Sequence, residues 1–384
     1  MKIKKILKSV KEKKVPQLRC FPEQLVDAAA TVSSFRGKFS KLTPIERLLT
    51  TIRHKEPDRV PVAPLANAVA RRITGISFPE YSTNAEKTAE ALCASINFVG
   101  GDLVVMLIDL SVEAADFGQE VIYPINSTAH PNYLNPYIKD VADYLKIKPI
   151  NLSATTRMKE IVKLCEIMSD PKRCPVPVSG FVYGPLEILL MMRGAKDFYK
   201  DCRNYPDHVK KACAAITETL LDFVKAQCDT GIHAITIDTL LASWNALPKN
   251  VWSDLEGEFT GEITRCARDN GCIVGIHNCG DGVYFDAQIK AMAPDFISFA
   301  QLPDDCKTPR EMKEKYGDQI TLVGYVHTPT LVNGTPQAVM DEAREQIDIL
   351  ARDGGFVLAP GCEYPPNLSL ENAFALVKAA ELYS

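Results

Sequence analysis

The chain has 384 residues with 48 acidic and 44 basic side chains, giving a formal net charge of −4 at pH 7. Nucleic-acid binding needs a clustered excess of Lys and Arg, so this balance argues against nucleic acid as the main partner. The hydrophobic fraction of 46% is that of a soluble globular protein, and no apolar stretch reaches the roughly 18–20 residues that a membrane span needs.

The first 40 residues are basic and are predicted to form a helical arm appended to the main domain. Ile3, Ile6, Leu7 and Val10 recur at helical spacing. The segment lacks the apolar core and cleavage site of a secretory signal, and the cysteines are scattered through a large chain, so we expect a reducing cytoplasm. The arm either caps the body or makes contacts in an oligomer such as a homodimer. Docking on a membrane or an acidic partner is the alternative.

From residue 41 to residue 384, short apolar runs alternate with longer helical patterns. The first helix is predicted to begin with Thr43 as N-cap, Pro44 at the first helical position and Glu46 closing a capping box. Later helical patterns include Asp207–Gln227, Trp252–Asn270, Phe285–Ala291 and Pro336–Arg352, the last with Thr335 as its cap.

Eight apolar runs are predicted to be buried parallel strands. They are Val60–Leu65, Leu103–Ile108, Val176–Phe181, His233–Ile237, Ile273–Ile276, Phe296–Phe299, Thr321–Gly324 and Phe356–Leu358. Eight alternating strand and helix units predict an α/β fold, a (β/α)8 TIM barrel, rather than an open sheet. Residues from about 118 to 172 form a long excursion that is predicted to cover the barrel mouth.

Polar residues that follow the strands of such a barrel are expected to face one shared cavity. The candidates are Asn67, Asp109, Glu113, Tyr183, Asp238, Ser243, Trp244, Gln301, Asp304, Tyr325, His327 and Glu363. Asp238 is predicted to contact substrate or handle a proton, its alternative being an N-cap. Trp244 either forms the wall of an apolar substrate site or packs in the fold, and His327 is either a general acid or base or a loop cap.

His277, Cys279 and Cys362 are the candidate metal ligands, and they follow the fifth and eighth apolar runs. One imidazole and two thiols suit Zn²⁺, and three protein ligands leave a fourth position open for chemistry. Alternate residues leaving a strand point to the same side, which favours a joint role for His277 and Cys279. A lone His or Cys at a strand end is more often structural, so the residues alone leave both interpretations open.

Several standard motifs are absent from the sequence. It contains no P-loop and no strand-linked GxGxxG, which argues against nucleotide hydrolysis and a Rossmann cofactor. It also contains no GxSxG nucleophile elbow.

The sequence resembles the uroporphyrinogen decarboxylase superfamily over roughly residues 40–384. Five segments carry the resemblance: Arg59–Val62, Gly180–Glu187, His277–Asp281, Val332–Pro336, and Leu358–Cys362 with Pro365–Asn367. Within the superfamily, the chain is similar to the zinc-dependent corrinoid methyltransferases of the methylcobamide:coenzyme M methyltransferase type. That branch is marked by a His-x-Cys pair and a distant Cys, which correspond to His277, Cys279 and Cys362.

This resemblance implies Zn²⁺ as cofactor and a corrinoid (cobalamin) carried by a partner protein. The methyl group would pass between the corrinoid and a small substrate, either a thiol acceptor such as coenzyme M or a methyl ether or methylamine donor. Decarboxylases of the superfamily carry an arginine-rich signature after the first strand, whereas here no arginine follows until Arg71 and Arg72. Two alternatives stay open: a decarboxylase that uses Asp238 and Tyr183 on a pyrrolic substrate, and a non-catalytic corrinoid- or tetrapyrrole-binding protein.

Overall fold

The structure, a computed structural model, describes residues 40–383. The predicted basic arm of residues 1–40 therefore lies outside the described residues, except for its last position. No helix in the described range is long and apolar enough to cross a membrane.

Nine strands are present in the described residues. In chain order they are β1 (Val104–Val105), β2 (Val121–Ile122), β3 (His130–Pro131), β4 (Val178–Tyr183), β5 (Ala234–Asp238), β6 (Ile273–Asn278), β7 (Phe296–Phe299), β8 (Thr321–Val326) and β9 (Phe356–Pro360). Strands β2 and β3 pair as an antiparallel hairpin, while the other seven form one parallel sheet in the order β1-β4-β5-β6-β7-β8-β9. This order follows the chain, as a barrel requires.

Helices alternate with the strands and form the outer layer. In chain order they are α1 (Pro44–Ile52), α2 (Arg71–Thr74), α3 (Phe78–Thr83), α4 (Ala85–Phe98), α5 (Val112–Asp116), α6 (Arg157–Ser169), α7 (Pro185–Arg193), α8 (Ala195–Asn204), α9 (Pro206–Asp229), α10 (Lys249–Trp252), α11 (Glu258–Asp269), α12 (Phe285–Met292), α13 (Pro309–Tyr316), α14 (Thr328–Asn333), α15 (Pro336–Leu350) and α16 (Glu371–Leu382). Single 3₁₀ turns lie at Ala68–Ala70, Val141–Lys146 and Leu152–Ala154, and a π turn lies at Ser253–Gly257.

The helix boundaries that the sequence predicted are largely confirmed. Thr43 and Glu46 form the capping box of α1, and Thr335 accepts a hydrogen bond from Ala338 N at the start of α15. The predicted helix over Trp252–Asn270 is present, since α10, the π turn and α11 follow one another without a break from Lys249 to Asp269. The predicted excursion was too long, since α6 is an outer barrel helix that leads into β4.

The sheet closes into a barrel through residues 60–63, which lie between β9 and β1. Ala63 N donates to Leu358 O and Leu358 N donates to Pro61 O, both at 2.9 Å. On the other side Asp102 N donates to Val62 O at 2.8 Å. This bridged segment takes the place of the first barrel strand, so the predicted (β/α)8 fold is confirmed.

The predicted first strand, Val60–Leu65, is shorter than expected. Pro61 and Pro64 have no backbone N–H to donate to a neighbouring strand. Leu65 has a φ of +47°, which turns the chain out of extended conformation. Pairing is therefore limited to a single parallel bridge between Val62 and Leu358.

The amino-terminal end of the barrel is closed by α1. Its residues Ile45, Leu48, Leu49 and Ile52 line a small apolar cavity together with strand residues such as Phe296. Chemistry is therefore confined to the opposite end, where the strands reach their carboxyl ends and the connecting loops are longer.

A buried ion pair connects α1 to the closing segment of the barrel. Asp102 accepts from Arg47 Nη1 and Arg59 Nη1, each at 2.7 Å, and its Oδ2 accepts from Val62 N at 2.9 Å. Arg47 and Asp102 are both about 1% exposed. Arg47 also binds Asp58 at 2.7 Å, so its charge is shared between two carboxylates.

Replacing Asp102 by Asn should destabilise the fold strongly. The change leaves the buried guanidinium of Arg47 with one carboxylate partner, and breaking a buried ion pair costs about 3–5 kcal/mol. The free energy of unfolding in urea measures the effect. The control is Asp229→Asn, which breaks the exposed pair with Lys225 and should cost less than about 1 kcal/mol. Equal losses in the two variants would contradict the prediction.

Candidate active site

Three soft ligands meet at the carboxyl ends of β6 and β9. His277 lies near the end of β6, Cys279 follows that strand directly, and Cys362 lies just beyond β9. Their ligand atoms all lie within 4.8 Å of one another. In a flat sheet, strands three positions apart would be separated by about 14 Å, so the curl of the barrel brings these side chains together.

The imidazole of His277 is oriented by a serine of the neighbouring strand. His277 Nδ1 lies 3.0 Å from Ser298 Oγ, and the two residues are in register between β6 and β7. Nε2 is therefore the nitrogen left for the thiols. Burial lowers the pKa of His277, but its hydrogen bond with Cys362 and the charge of Asp238 outweigh burial and raise it. Ser298 was not predicted from the sequence, where its only signal is a polar residue inside an apolar strand.

The two thiols are coupled to each other. Cys279 donates a hydrogen bond to Cys362, which lowers the pKa of Cys362 to about 4 against the opposing effect of burial. His277 adds to this stabilisation of the Cys362 thiolate. The same hydrogen bond, together with burial, raises the pKa of Cys279. The site therefore holds a thiolate beside a thiol and an imidazole, a group of atoms that are good donors for a soft or borderline metal ion.

A pair of buried carboxyl groups stands beside the thiols. Asp238 ends β5 in register with His277. Burial raises the pKa of Asp238 to about 6 and that of Glu187 well above its usual value, and the two carboxyls are hydrogen-bonded to each other. Asp238 Oδ1 has no hydrogen-bond partner in the described part of the chain. Asp238 is not an N-cap, because the next helix is capped by Pro248.

Tyr183 and Glu363 lie at the same end of the barrel. The hydroxyl of Tyr183 is buried without a hydrogen-bond partner among residues 40–383, and its backbone N–H donates to Glu113 Oε1 at 3.1 Å. Glu363 Oε1 accepts from Ala68 N at 2.9 Å. Loss of solvent raises the pKa of Glu363 to about 8, so this carboxyl is neutral at pH 7.

A cavity inside the barrel lies directly beneath these groups. Asn67, His277, Ser298 and Glu363 line it with apolar strand residues, and its volume is about 30 Å³. Such a volume holds about one water molecule. A substrate must therefore reach the thiols from the mouth and cannot lie within the barrel.

The comparisons with known proteins agree with the barrel fold. The profile of the uroporphyrinogen decarboxylase (URO-D) family matches residues 43–383. The chain belongs to the uroporphyrinogen decarboxylase family. Among solved structures, a methyltransferase from Methanosarcina mazei superposes with a TM-score of 0.76 at 24% identity, covering 90% of this chain and 100% of that one. A B12-independent methionine synthase from Shewanella sp. W3-18-1 has a TM-score of 0.51 at 13% identity, covering 85% and 94%.

Curated relatives of this URO-D family member are methyltransferases. Methylcobamide:CoM methyltransferase MtaA of Methanosarcina barkeri is 25% identical over 90% of this chain and 99% of its own length. Methylcobamide:CoM methyltransferase MtbA of Methanosarcina acetivorans is 22% identical over the same shares. The chain therefore spans nearly the whole length of both relatives.

Two arginines that follow the first segment of this URO-D fold are engaged in structural contacts. Arg71 is buried, stacks over the ring of Phe78 at 3.6 Å, and donates to Asn367 Oδ1 at 3.0 Å. Arg72 donates to the backbone carbonyl of Leu368. Both guanidinium groups contact the loop that follows Cys362. They do not form an exposed pair that could bind an anion.

Trp244 lies in the loop after β5 and packs against the loop that carries Cys279. Its indole is 62% exposed, and its backbone N–H donates to Gly282 O at 3.1 Å. Gly282 has a φ of +62°, and a side chain there would collide with the indole. The indole thus packs against the loop that contains Gly282, while much of the side chain remains exposed to solvent at the mouth.

Not every polar residue that the sequence analysis grouped together faces the thiols. His327 is exposed; its N–H donates to Glu342 Oε1 at 2.7 Å and its carbonyl accepts from Thr330 N at 2.9 Å, so its backbone caps α14. Gln301 is half-buried in the loop after β7. The expectation that Asp304 faces the cavity was wrong, because it pairs with Lys249 on the surface at 3.0 Å.

Other polar residues that were predicted to face the cavity make structural contacts near the mouth of the barrel. Asp109 is buried and accepts from Arg157 Nη2 at 2.6 Å. The ring of Tyr325 stacks on Phe299 with 5.1 Å between centroids. Ser243 donates to Leu240 O at 2.6 Å, in the loop that also positions Glu187.

Alkylation should identify Cys362 as the reactive thiol of the chelator-treated protein. Its lowered pKa keeps it a thiolate above about pH 4, so its rate with iodoacetamide should be nearly flat between pH 6 and pH 8. An ordinary thiol with a pKa of about 8.5 reacts roughly tenfold more slowly for each pH unit below that value. Peptide mass spectrometry measures the rate at each cysteine.

The matched variants are Cys279→Ala and Cys266→Ala. Loss of Cys279 removes the hydrogen-bond donor to Cys362, which should raise the pKa of Cys362 and slow alkylation at pH 6. Cys266 lies in α11 away from the mouth, so its loss should change nothing. A rate at Cys362 that rises steeply from pH 6 to pH 8 in the unsubstituted chain contradicts the prediction.

Proposed function

We propose that the chain is a zinc-dependent methyltransferase that moves a methyl group between a corrinoid on a separate protein and a small substrate. The observation that carries the proposal is the convergence of His277, Cys279 and Cys362 at the barrel mouth. The names of the curated relatives support the corrinoid and the thiol coenzyme M as the two methyl carriers. A methyl ether or methylamine is the alternative small substrate.

The three side chains fit a zinc ion. Ligand atoms around tetrahedral Zn²⁺ are separated by about 3.3–3.8 Å, given Zn–N and Zn–S bonds of about 2.0–2.3 Å. The observed limit of 4.8 Å is compatible with small rotations of the side chains onto an ion. Ser298 fixes His277 through Nδ1, which is how ligating histidines are usually oriented. When bound, zinc would supply a Lewis acid that lowers the pKa of a substrate thiol.

Asp238 and Glu187 are proposed to handle the proton of the substrate. The unpaired Oδ1 of Asp238 is the atom that would accept the proton from an arriving thiol, with Glu187 sharing it through their hydrogen bond. The substrate sulfur then attacks the methyl carbon of the corrinoid. A new S–C bond forms, the Co–C bond breaks, and its electron pair stays on cobalt, which goes from Co(III) to Co(I).

Other residues would shape the approach of the substrate. Tyr183 offers a buried hydroxyl without a partner among the described residues, and Glu363 is neutral near pH 7, so both can donate a hydrogen bond. Trp244 presents an exposed indole beside Cys279. We assign weaker contacts with substrate or corrinoid to Gln301, in the loop after β7, and to Asn67, which lines the cavity beneath the thiols. The reaction is proposed for the cytoplasm, because Co(I) and free thiols need reducing conditions.

The two alternative functions are less well supported. A porphyrinogen decarboxylase needs cationic side chains for the acidic groups of its substrate, and Arg71 and Arg72 make structural contacts instead. A non-catalytic binder has no need of an open-coordination metal site, so zinc stoichiometry separates it from the enzyme.

Replacing either thiol should abolish both zinc binding and methyl transfer. The unsubstituted chain should bind about one zinc per chain and transfer the methyl group of free methylcobalamin to one member of a thiol panel. Cys279→Ala and Cys362→Ala should lose the metal and slow transfer by roughly 10³-fold or more, since Lewis-acid stabilisation is worth several kcal/mol. Metal analysis and cobalamin absorbance measure the two effects. Full activity in the metal-free chain would falsify the proposal.

Removing the hydroxyl that orients His277 should weaken zinc binding without eliminating it. Ser298→Ala is expected to raise the zinc dissociation constant about 10- to 100-fold, the usual effect of losing such a partner. Competition with a chromogenic chelator measures it. Ser179→Ala is the control. Ser179 is also a buried strand serine, but its hydroxyl forms a hydrogen bond with Thr236 Oγ1 at 2.9 Å and not with a candidate metal ligand. The positioning role is refuted by equal zinc affinities in the two variants.

A further inference from the structure

Exposed apolar side chains are concentrated in one short part of the chain, residues 110–137. Half of the large hydrophobic residues that are exposed in the described chain lie there: Leu110, Ile122, Ile125, Tyr133, Leu134 and Tyr137. Leu134 is 97% exposed and Ile125 is 58% exposed. Single exposed leucines are ordinary, but a cluster of this kind marks an interaction surface. We call these six residues the apolar rim.

The apolar rim is built on an ordered scaffold. Strands β2 and β3 pair within it, and Asn132 N donates to Glu120 O at 2.8 Å. The buried amide of Gln119 donates to Glu120 O at 2.9 Å and accepts from Tyr137 N at 2.9 Å. The rim is therefore pre-organised, which reduces the entropy lost when a partner binds.

The apolar rim lies against the loop that carries Cys362. Asn367, in that loop, donates from Nδ2 to Asn126 O, in the connection between β2 and β3, at 3.2 Å. Tyr123 is held from below by Arg157 Nη1 at 3.0 Å. The segment that carries the apolar rim and the loop that carries Cys362 are therefore neighbours at the mouth.

A second exposed hydrophobic group borders the other ligand loop. Trp244 rests on Gly282, in the loop that begins at Cys279, and is 62% exposed. Each of the two loops that supply a thiol therefore supports exposed hydrophobic surface. The thiols themselves are half-buried between them.

We propose that the apolar rim and Trp244 form the docking surface for the protein that carries the corrinoid. This inference rests on the proposed methyl transfer, in which the methyl carbon must come within about 3–3.5 Å of the substrate atom at the thiols. A protein-bound corrinoid can reach that position only if its carrier covers the mouth. The apolar rim would contact the carrier, and Trp244 would contact the flat corrin ring. A second copy of this chain on the same surface would occupy the position that the carrier needs, so the occupant proposed is the carrier.

Single aspartate substitutions in the apolar rim test the proposal. The probes are purified corrinoid proteins in their methyl-Co(III) form, and free methylcobalamin is the matched donor. Leu134→Asp and Ile125→Asp should each raise the dissociation constant and the KM for the corrinoid protein at least about tenfold, as expected for interface anchors. The kcat/KM with free methylcobalamin should stay unchanged, because that donor brings no carrier protein to the apolar rim.

Two further variants serve as controls. Leu382→Asp changes a residue that is 54% exposed at the end of α16, on the closed side of the barrel, and should affect neither donor. Trp244→Ala should raise the KM for both donors, since it removes a contact with the corrin itself. Retained zinc content and an unchanged midpoint of urea unfolding show that each variant is folded.

Each of the other possible outcomes contradicts either the docking surface or the proposed function. If the apolar-rim variants bind the corrinoid protein as tightly as Leu382→Asp does, the docking surface is wrong. If the unsubstituted chain uses free methylcobalamin but binds no corrinoid protein, the inference fails while the methyl transfer stands. If it uses neither donor, the proposed function fails first. If Leu134→Asp converts a dimer into monomers without weakening corrinoid-protein binding, the surface is a homodimer interface and the proposal is overturned.

Discussion

The closure of the barrel between β9 and β1 is the constraint on which the site depends. A single parallel bridge and three backbone hydrogen bonds complete the ring, and Asp102 ties that seam to Arg47 of the capping helix. An open sheet would leave β6 and β9 too far apart for His277 and Cys362 to share an ion. The curvature that closure imposes turns strand-end residues far apart in sequence into one group.

Several acidic side chains near the mouth are buried from solvent. Besides Asp238 and Glu187, burial raises the pKa of Glu256 to about 7, and its carboxylate accepts from Trp252 Nε1 at 2.7 Å and Leu186 N at 2.8 Å. Burial disfavours the ionised form of a carboxyl group unless a positive charge is near. A bound divalent cation would supply that charge, so metal binding and proton release are expected to be linked at this site.

Similarity of the barrel fold and the identity of the residues at its mouth are different kinds of evidence about function. The URO-D barrel is retained at 22–25% identity to the curated methyltransferases, because apolar strands of similar volume can be exchanged within a core. Chemistry is set by the residues at the strand ends and by the loops above them. In this chain the features proposed to set it are the His-x-Cys pair, the distant Cys362, and loops that expose hydrophobic surface.

Features that depend on a local pattern could be predicted from the amino-acid sequence. They are the capping at Thr43 and Thr335, the alternation of strands and helices, and the His-x-Cys spacing, each of which is visible within a few residues. Which distant groups meet depends on the tertiary structure. Ser298 behind His277, Glu187 beside Asp238, and the exposure of Leu134 arise from contacts between separate strands and loops. Local periodicity cannot encode such contacts, because they depend on the register and curvature of the closed sheet.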